Sequence, residues 1–164
     1  MKRIGFGQVE PNHLSAQRTG QIYAQLPAAK SIAVLENGMF AKYDYVNGEV
    51  NFSGEGEWML VLNEVKLYDD AWRESYKDFA MKPDNSNEMT PRLFKTAIGD
   101  IFTTNTLGDG TADVEVAVGN KLTVGADGYL KVTASPADGE MTWLVVKVYT
   151  MPDNQPAVKI QRIA

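Results

Sequence analysis

Four acidic residues, Glu55, Glu57, Asp69 and Asp70, are the first side chains whose type could do chemistry, because two carboxylates flanking a glycosidic bond suffice to hydrolyse it. Spacing along a chain sets no separation between carboxyl groups, so these acids read equally as solvated surface charge. A second acidic run, Asp109, Asp113 and Glu115, has three carboxylates in seven residues and a superficial likeness to a calcium loop. It lacks the alternating oxygen ligands and closing glutamate of an EF-hand and reads as a solvated hairpin tip whose acids keep an edge soluble. His13 is the only histidine, has no Ser-Asp constellation near it, and reads as a solvated surface residue. Gly5-Phe6-Gly7 lacks the third glycine and the preceding strand of a dinucleotide or phosphate loop. Trp58, Trp72 and Trp143, with seven tyrosines, could stack on sugars, although core packing explains the same letters.

The elements that must position such residues belong to a chain of 164 residues, enough for one domain with a sizeable core. With no cysteine there are no disulfides, thiolate nucleophiles or Cys-ligated metals, and one histidine excludes multi-His centres. The net charge of -5 and the lack of any Lys/Arg block disfavour nucleic acid. The N-terminus follows Met1-Lys2-Arg3 with Gly5, Gly7 and Gln8 where an export signal needs an apolar run, and no stretch is long enough to span a bilayer. A cytosolic product, or one released by lysis, is expected.

Residues 1–20 are glycine-dotted and polar, with isolated Ile4, Phe6, Val9 and Leu14, and read as an N-terminal arm that a partner could order. Residues 21–164 read as a single β-rich domain. Strands are predicted at 21–26, 32–35, 39–46, 49–52 and 58–65, with turns at Glu36-Asn37-Gly38 and Asn47-Gly48 read as type I′ hairpins. Tyr68, Trp72, Tyr76 and Phe79 recur at spacings of four, four and three, which predicts an amphipathic helix over 67–81, with an aromatic-rich extended loop as the alternative. Further strands are predicted at 93–97, 101–104, 113–118, 121–124, 129–133, 141–149 and 157–162, separated by Gly-, Asp- and Asn-rich turns. Short strands with a turn at each gap predict a mainly β fold: an antiparallel β-sandwich or β-barrel with one short helix and an extended arm.

From residue 118 onward a pattern stands out: Val118-Gly119-Asn120-Lys121-Leu122-Thr123-Val124-Gly125-Ala126-Asp127-Gly128-Tyr129-Leu130, then Trp143 to Tyr149, then Met151-Pro152-Asp153-Asn154-Gln155-Pro156-Ala157-Val158-Lys159. This resembles the β-rich head auxiliary proteins of tailed bacteriophages, the decoration or cement proteins, and residues 72–79 resemble the same group more loosely. Where that group often has Asp-Gly in the last hairpin, this chain has Asp153-Asn154, and Asn also tolerates a left-handed backbone. The resemblance implies a non-enzymatic virion component, made in the host cytoplasm, that binds the major capsid protein on the capsid exterior and stabilises the shell. It is compatible with a homo-oligomer such as a trimer, and it implies no cofactor, metal, nucleic acid or membrane. The side chains expected to bind the capsid are Ile4, Phe6, Val9 and Leu14 in the arm, and Trp72, Tyr76 and Phe79. The alternative is a glycan- or receptor-binding module of a phage fibre or tail.

Overall fold

The computed structural model describes residues 1–3, 7–18, 26–63, 90–109 and 113–164. In chain order these residues form β1 (Val9–His13), the helical turn α1 (Ser15–Arg18), β2 (Phe40–Asp44), β3 (Glu49–Asn51), β4 (Glu55–Val61), β5 (Leu93–Phe94), β6 (Ile101–Thr104), β7 (Lys121–Val124), β8 (Leu130–Thr133), β9 (Thr142–Thr150) and β10 (Pro156–Arg162). The strands make two antiparallel sheets, one of six in the order β1-β6-β10-β9-β7-β8 and one of four in the order β3-β2-β4-β5. The chain is therefore mainly β, built as packed antiparallel sheets.

Alternation along the strands decides how the sheets stack, because successive side chains leave a strand on opposite faces. Phe102, Leu122, Leu130, Trp143, Val145, Val158 and Ile160 of the larger sheet meet Phe40 and Leu60 of the smaller in one apolar core. At its centre the Phe102 and Trp143 rings pack edge to face at 4.9 Å, with Phe40 5.7 Å from Trp143. Such ring pairs contribute about 0.5–1.5 kcal/mol beyond the area they bury. The opposite face of the smaller sheet, with Ala41, Tyr43, Val50, Met59, Val61 and Leu93, is covered by Ala28, Ala29, Ile32, Leu35 and Met39. Residues 26–39 are thus a covering layer, tied to β3 by Ala29 N–H to Val50 O and Val50 N–H to Pro27 O, both at 2.8 Å. The strand predicted at 32–35 is part of that layer and makes no strand of its own.

β6 and β7 fall on the residues predicted for them. The predicted strand at 113–118 does not form. Val114 instead donates its N–H to Met1 O at 2.9 Å, and Val114 and Val116 pack their side chains on the core. The Asn47-Gly48 turn also differs from a two-residue type I′ hairpin, since Asp44 pairs with Glu49 across a four-residue loop. The Asp44 carboxylate accepts the N–H groups of Val46 (3.1 Å) and Asn47 (3.0 Å), and Gly48, at φ +68°, donates back to Asp44 O. A local acceptor at the strand end thus wins over the type I′ preference. In the β9–β10 turn Asn154 has φ 65°, the sole positive φ outside glycine among the described residues, as the Asp153-Asn154 pair led one to expect.

Of the segment 1–20, read as an extended arm, the described residues 9–18 are built into the body. β1 pairs with β6 from Val9 to His13, and Leu14 is 2% exposed in the inter-sheet core. Asp100 then accepts the N–H and the hydroxyl of Ser15, both at 3.0 Å, at the start of α1. An apolar side chain and a shared carboxylate give this stretch the contacts that its own composition lacks. The predicted helix at 67–81 lies outside the described residues, as does the strand predicted at 21–26 apart from Leu26.

Candidate functional site

Among the described residues a dense group of polar side chains forms a seam where the N-terminal segment runs along one end of the sheets. Its cause is local: Thr103-Thr104-Asn105-Thr106 carries β6 out of the sheet with four consecutive polar residues, all of them buried. Buried polar groups need partners, and the N-terminal strand supplies them. Gln8 donates its N–H to Asn105 Oδ1 at 2.7 Å and accepts the Thr104 hydroxyl on its carbonyl at 2.7 Å. Asn105 Nδ2 donates to Gln155 Oε1 at 2.7 Å. Gln155 Nε2 (2.9 Å) and Gln8 Nε2 (2.7 Å) both donate to Asp153 Oδ2. Gly7 makes the close approach possible, since a Cβ there would lie 2.6 Å from Asn37 O and 2.7 Å from Thr106 Oγ1.

A second limb of the seam crosses to the smaller sheet. Asn37 uses its side-chain amide like a strand neighbour, accepting Asn63 N–H at 2.7 Å and donating to Asn63 O at 3.0 Å. Thr106 donates its hydroxyl to Asn37 O at 2.8 Å. The neighbouring Glu36 is 6% exposed and is gripped by both terminal nitrogens of Arg3, at 2.5 and 3.2 Å, and approached by Tyr129 OH at 3.3 Å. Between the limbs lies a groove of about 530 Å³, with Gln8, Val9, Asn37, Leu62, Met151 and Asp153 among its walls.

The electrostatics of the seam favour fixed protonation states. Burial, reinforced by the Glu36 charge, pushes the Tyr129 hydroxyl up to about 12, so it stays a neutral donor. For Asp153 partial burial works upward, but the bonds from Gln8 and Gln155 outweigh it and hold the carboxyl below its usual range. At neutral pH Asp153 is thus an anion already engaged by two amides. Among the described residues the buried side-chain nitrogens and oxygens without a partner are Arg3 Nε and Trp143 Nε1, and neither is a nucleophile or a base. What the seam can do chemically is bind loops to sheets.

The residues singled out in the sequence do not converge on it. Glu55 and Glu57 are exposed at the start of β4, and Glu57 meets Lys95 at 3.3 Å. Asp69 and Asp70 lie outside the described residues. Asp113 pairs with the N-terminal amine, and Asp109 and Glu115 are exposed. Among the described residues no group of three or more His, Asp or Glu side chains could hold a metal ion. His13 is exposed at the end of β1. Trp143 is fully buried, while Trp58 is half-buried with Lys42 Nζ 4.6 Å over its ring. Of the side chains expected to bind a capsid, Leu14 and Val9 pack on this chain's own core, and Ile4, Phe6, Trp72, Tyr76 and Phe79 lie outside the described residues.

The reasoning from sequence missed Gln8, Asn105 and Gln155. The signal for them was the Thr-Thr-Asn-Thr run, since polar residues continuing a strand on both faces require acceptors and donors from elsewhere. No family model, curated protein or solved structure matches this chain. Among the described residues no helix is long and apolar enough to cross a membrane.

Proposed function

We propose that the protein is a non-enzymatic structural component of a phage virion, which binds the outer surface of the capsid shell through the major capsid protein and stabilises it. One observation carries the reading: among the described residues the buried polar side chains with the chemistry to act, Asp100, Asn105, Glu36 and Gln155, are engaged in bonds that fasten loops and the N-terminal strand to the sheets. Catalysis needs polar groups aimed at a substrate, whereas a staple needs them aimed inward, making a body that transmits load without deforming. The C-terminal segments that carry the resemblance to decoration proteins support it further. Residues 118–130 form the loop into β7 and the β7–β8 turn, and residues 151–159 close the β9–β10 hairpin on a left-handed Asn154. The buried position of Trp143 removes one ring from the sugar-stacking platform that a glycan-binding reading would use.

The test is quantitative mass spectrometry of purified virions encoding this chain, read as copies per major capsid protein. Hundreds of copies per particle, with shells that rupture at lower temperature when the gene is deleted, are expected. A handful of copies would move the chain to a fibre or vertex, and complete absence from the particle would overturn the virion reading.

A further inference from the structure

The charges of the two sheets are sorted. The strands of the six-stranded sheet carry Lys121, Lys131, Lys147, Lys159 and Arg162 against a single acid, Glu10. Those of the four-stranded sheet carry Asp44, Glu49, Glu55 and Glu57 against a single base, Lys42. In a chain whose net charge is -5, the basic set does not follow composition.

Register puts the four lysines on one surface. Leu122, Trp143, Val145 and Ile160 point into the core, so Lys121 stands outward beside Leu144, Lys131 beside Thr123, and Lys147 beside Lys159. Among the described residues no segment packs on this face as residues 26–39 pack on the smaller sheet, although at its β6–β10 side Thr103 and Ala157 are fully buried and Tyr149 bonds Thr103 and Glu10. Lys131 pairs with Asp127 at 2.8 Å and Lys147 Nζ lies 5.0 Å over the Tyr149 ring, whose hydroxyl bonds Glu10 at 2.9 Å, but no described carboxylate forms an ion pair with Lys121, Lys147 or Lys159. Half-buried Leu144 pairs with Lys121, half-buried Ile101 lies beside Gln161 on the β6 side of the face, and Val146 is 36% exposed where β9 bulges. Two like charges facing each other across strands, as Lys147 and Lys159 do, disfavour the isolated sheet unless an opposite charge covers them.

The acidic counterpart is a protrusion. At the β2–β3 tip Tyr45 is 66% and Val46 87% exposed, an aromatic and a branched apolar side chain offered to solvent together. Asp44 and Glu49 form the base of that tip, and Glu55 sits opposite Tyr43 on β4. The tip is held in shape: the Tyr45 ring packs edge-on against buried Tyr43 at 5.6 Å, and the Asp44 carboxylate accepts from Val46 and Asn47.

We propose that the outer face of the six-stranded sheet is the docking surface for a second copy of this chain, which inserts its acidic β2–β3 tip among the lysines. Charge complementarity selects the occupant: the molecule carries a rigid knob with acids around two apolar side chains and Lys30 beside Glu49, and a sheet face with four lysines around three apolar side chains and Glu10 at its β1 edge. Knob and face belong to different sheets, so the contact is head-to-tail and repeats from copy to copy, closing into a ring or running on as a chain. This inference stands apart from the function proposed above, since it concerns what the isolated protein does with itself.

The test is sedimentation velocity on the full chain at concentrations up to roughly 1 mM. At an ionic strength of about 0.01 M the sedimentation coefficient is expected to rise with concentration through species larger than a dimer. At about 1 M, where the screening length is roughly 3 Å, it is expected to return to that of the monomer. K147E/K159E and, separately, E49K/E55K are each expected to weaken self-association by about tenfold or more, with far-UV circular dichroism unchanged. Mixing the two variants is expected to restore assembly, because each supplies the charge the other has lost, and misfolding of one variant would not produce that rescue. Monomers at every concentration and salt, or a mixture that fails to assemble although both variants are folded, would overturn the proposal. A wild-type chain that stays monomeric at low salt while binding a DNA oligonucleotide through the lysine face would overturn it in favour of a polyanion.

Discussion

The apolar centre and the polar seam both fasten the larger sheet to its surroundings, and they do so by opposite means. At the centre Phe40, Phe102 and Trp143 are held by contact area and ring geometry, with no hydrogen bond specifying which side chain meets which. At the seam Asn105, Gln8, Gln155 and Asp153 are held by directed bonds of 2.7–2.9 Å, each with one partner that fits. The centre therefore supplies most of the stability and the seam supplies placement of the N-terminal strand. Losing apolar area costs in proportion to what is removed, whereas losing one member of a buried polar chain leaves its partners desolvated and unpaired.

The largest expected effect lies at the centre. Trp143→Ala is expected to cost about 3–5 kcal/mol, read from urea unfolding, because the cavity it leaves lies between two sheets that cannot close over it. Trp143→Phe sharpens the point: the indole N–H is buried without a partner, so exchanging the ring for one with no donor is expected to cost well under half as much. Equal costs for the two substitutions would mean that the indole is bonded after all.

At the seam Asn105→Ala is expected to cost about 2–3 kcal/mol, since the Gln8 N–H and the Gln155 side chain lose their partner while little apolar area changes. The signature is regional. Amide hydrogen exchange in Val9–His13 is expected to rise more than in β9 or β10, because β1 is an edge strand that pairs with β6 alone. A uniform rise through all six strands would make the seam part of the same cooperative unit as the centre.

This contrast also explains what was legible in the sequence. β6, β7 and most of β8 to β10 could be read because short runs of β-branched and aromatic residues lie between turns rich in Gly, Asp and Asn, a pattern local to each strand. Residues 32–35 and 113–118 show a similar local pattern, yet they cover and edge the sheets, and which apolar segment pairs and which merely packs is decided by neighbours distant in the chain. β1 was hidden for the converse reason: Val9-Glu10-Pro11-Asn12-His13 has almost no apolar alternation and is a strand because β6 accepts it and Leu14 anchors its end. In the turn beside the seam, the left-handed Asn154 was foreseeable from residue type alone. Gln8 and Asn105 were not, because their partnership spans 97 positions.

Two titrations separate the limbs of the seam. Tyr129 has its folded-state pKa raised to about 12 from 10.0, by burial first and then by the Glu36 charge. Below pH 10 the hydroxyl is protonated in both folded and unfolded chains and its contribution is complete. Between pH 10 and 12 the unfolded chain releases the proton first, so stability falls as pH rises. Allowing for solvent screening of a half-buried group, the loss is roughly 1–2 kcal/mol relative to Tyr129→Phe, read as the difference between their melting curves from pH 9 upward.

The smallest effect is expected at Asp153, and it has the opposite sign. Although partial burial pushes its pKa upward, the amides of Gln8 and Gln155 lower it overall from 3.8, so the folded chain holds the carboxylate in its charged form more firmly than the unfolded chain does. The contribution is present above the unfolded-state value and fades as pH falls through the folded-state one. Asp153→Asn is therefore expected to lower the melting temperature slightly at pH 7 and to converge with the wild type as the pH falls below the ordinary carboxylate range. The carboxylate is exposed at the tip of the β9–β10 turn, and exposed polar contacts of this kind count for little. A difference that persists undiminished into acid would show that the side chain acts through the geometry of the turn, with Asn154 beside it in the left-handed region, and not through its charge.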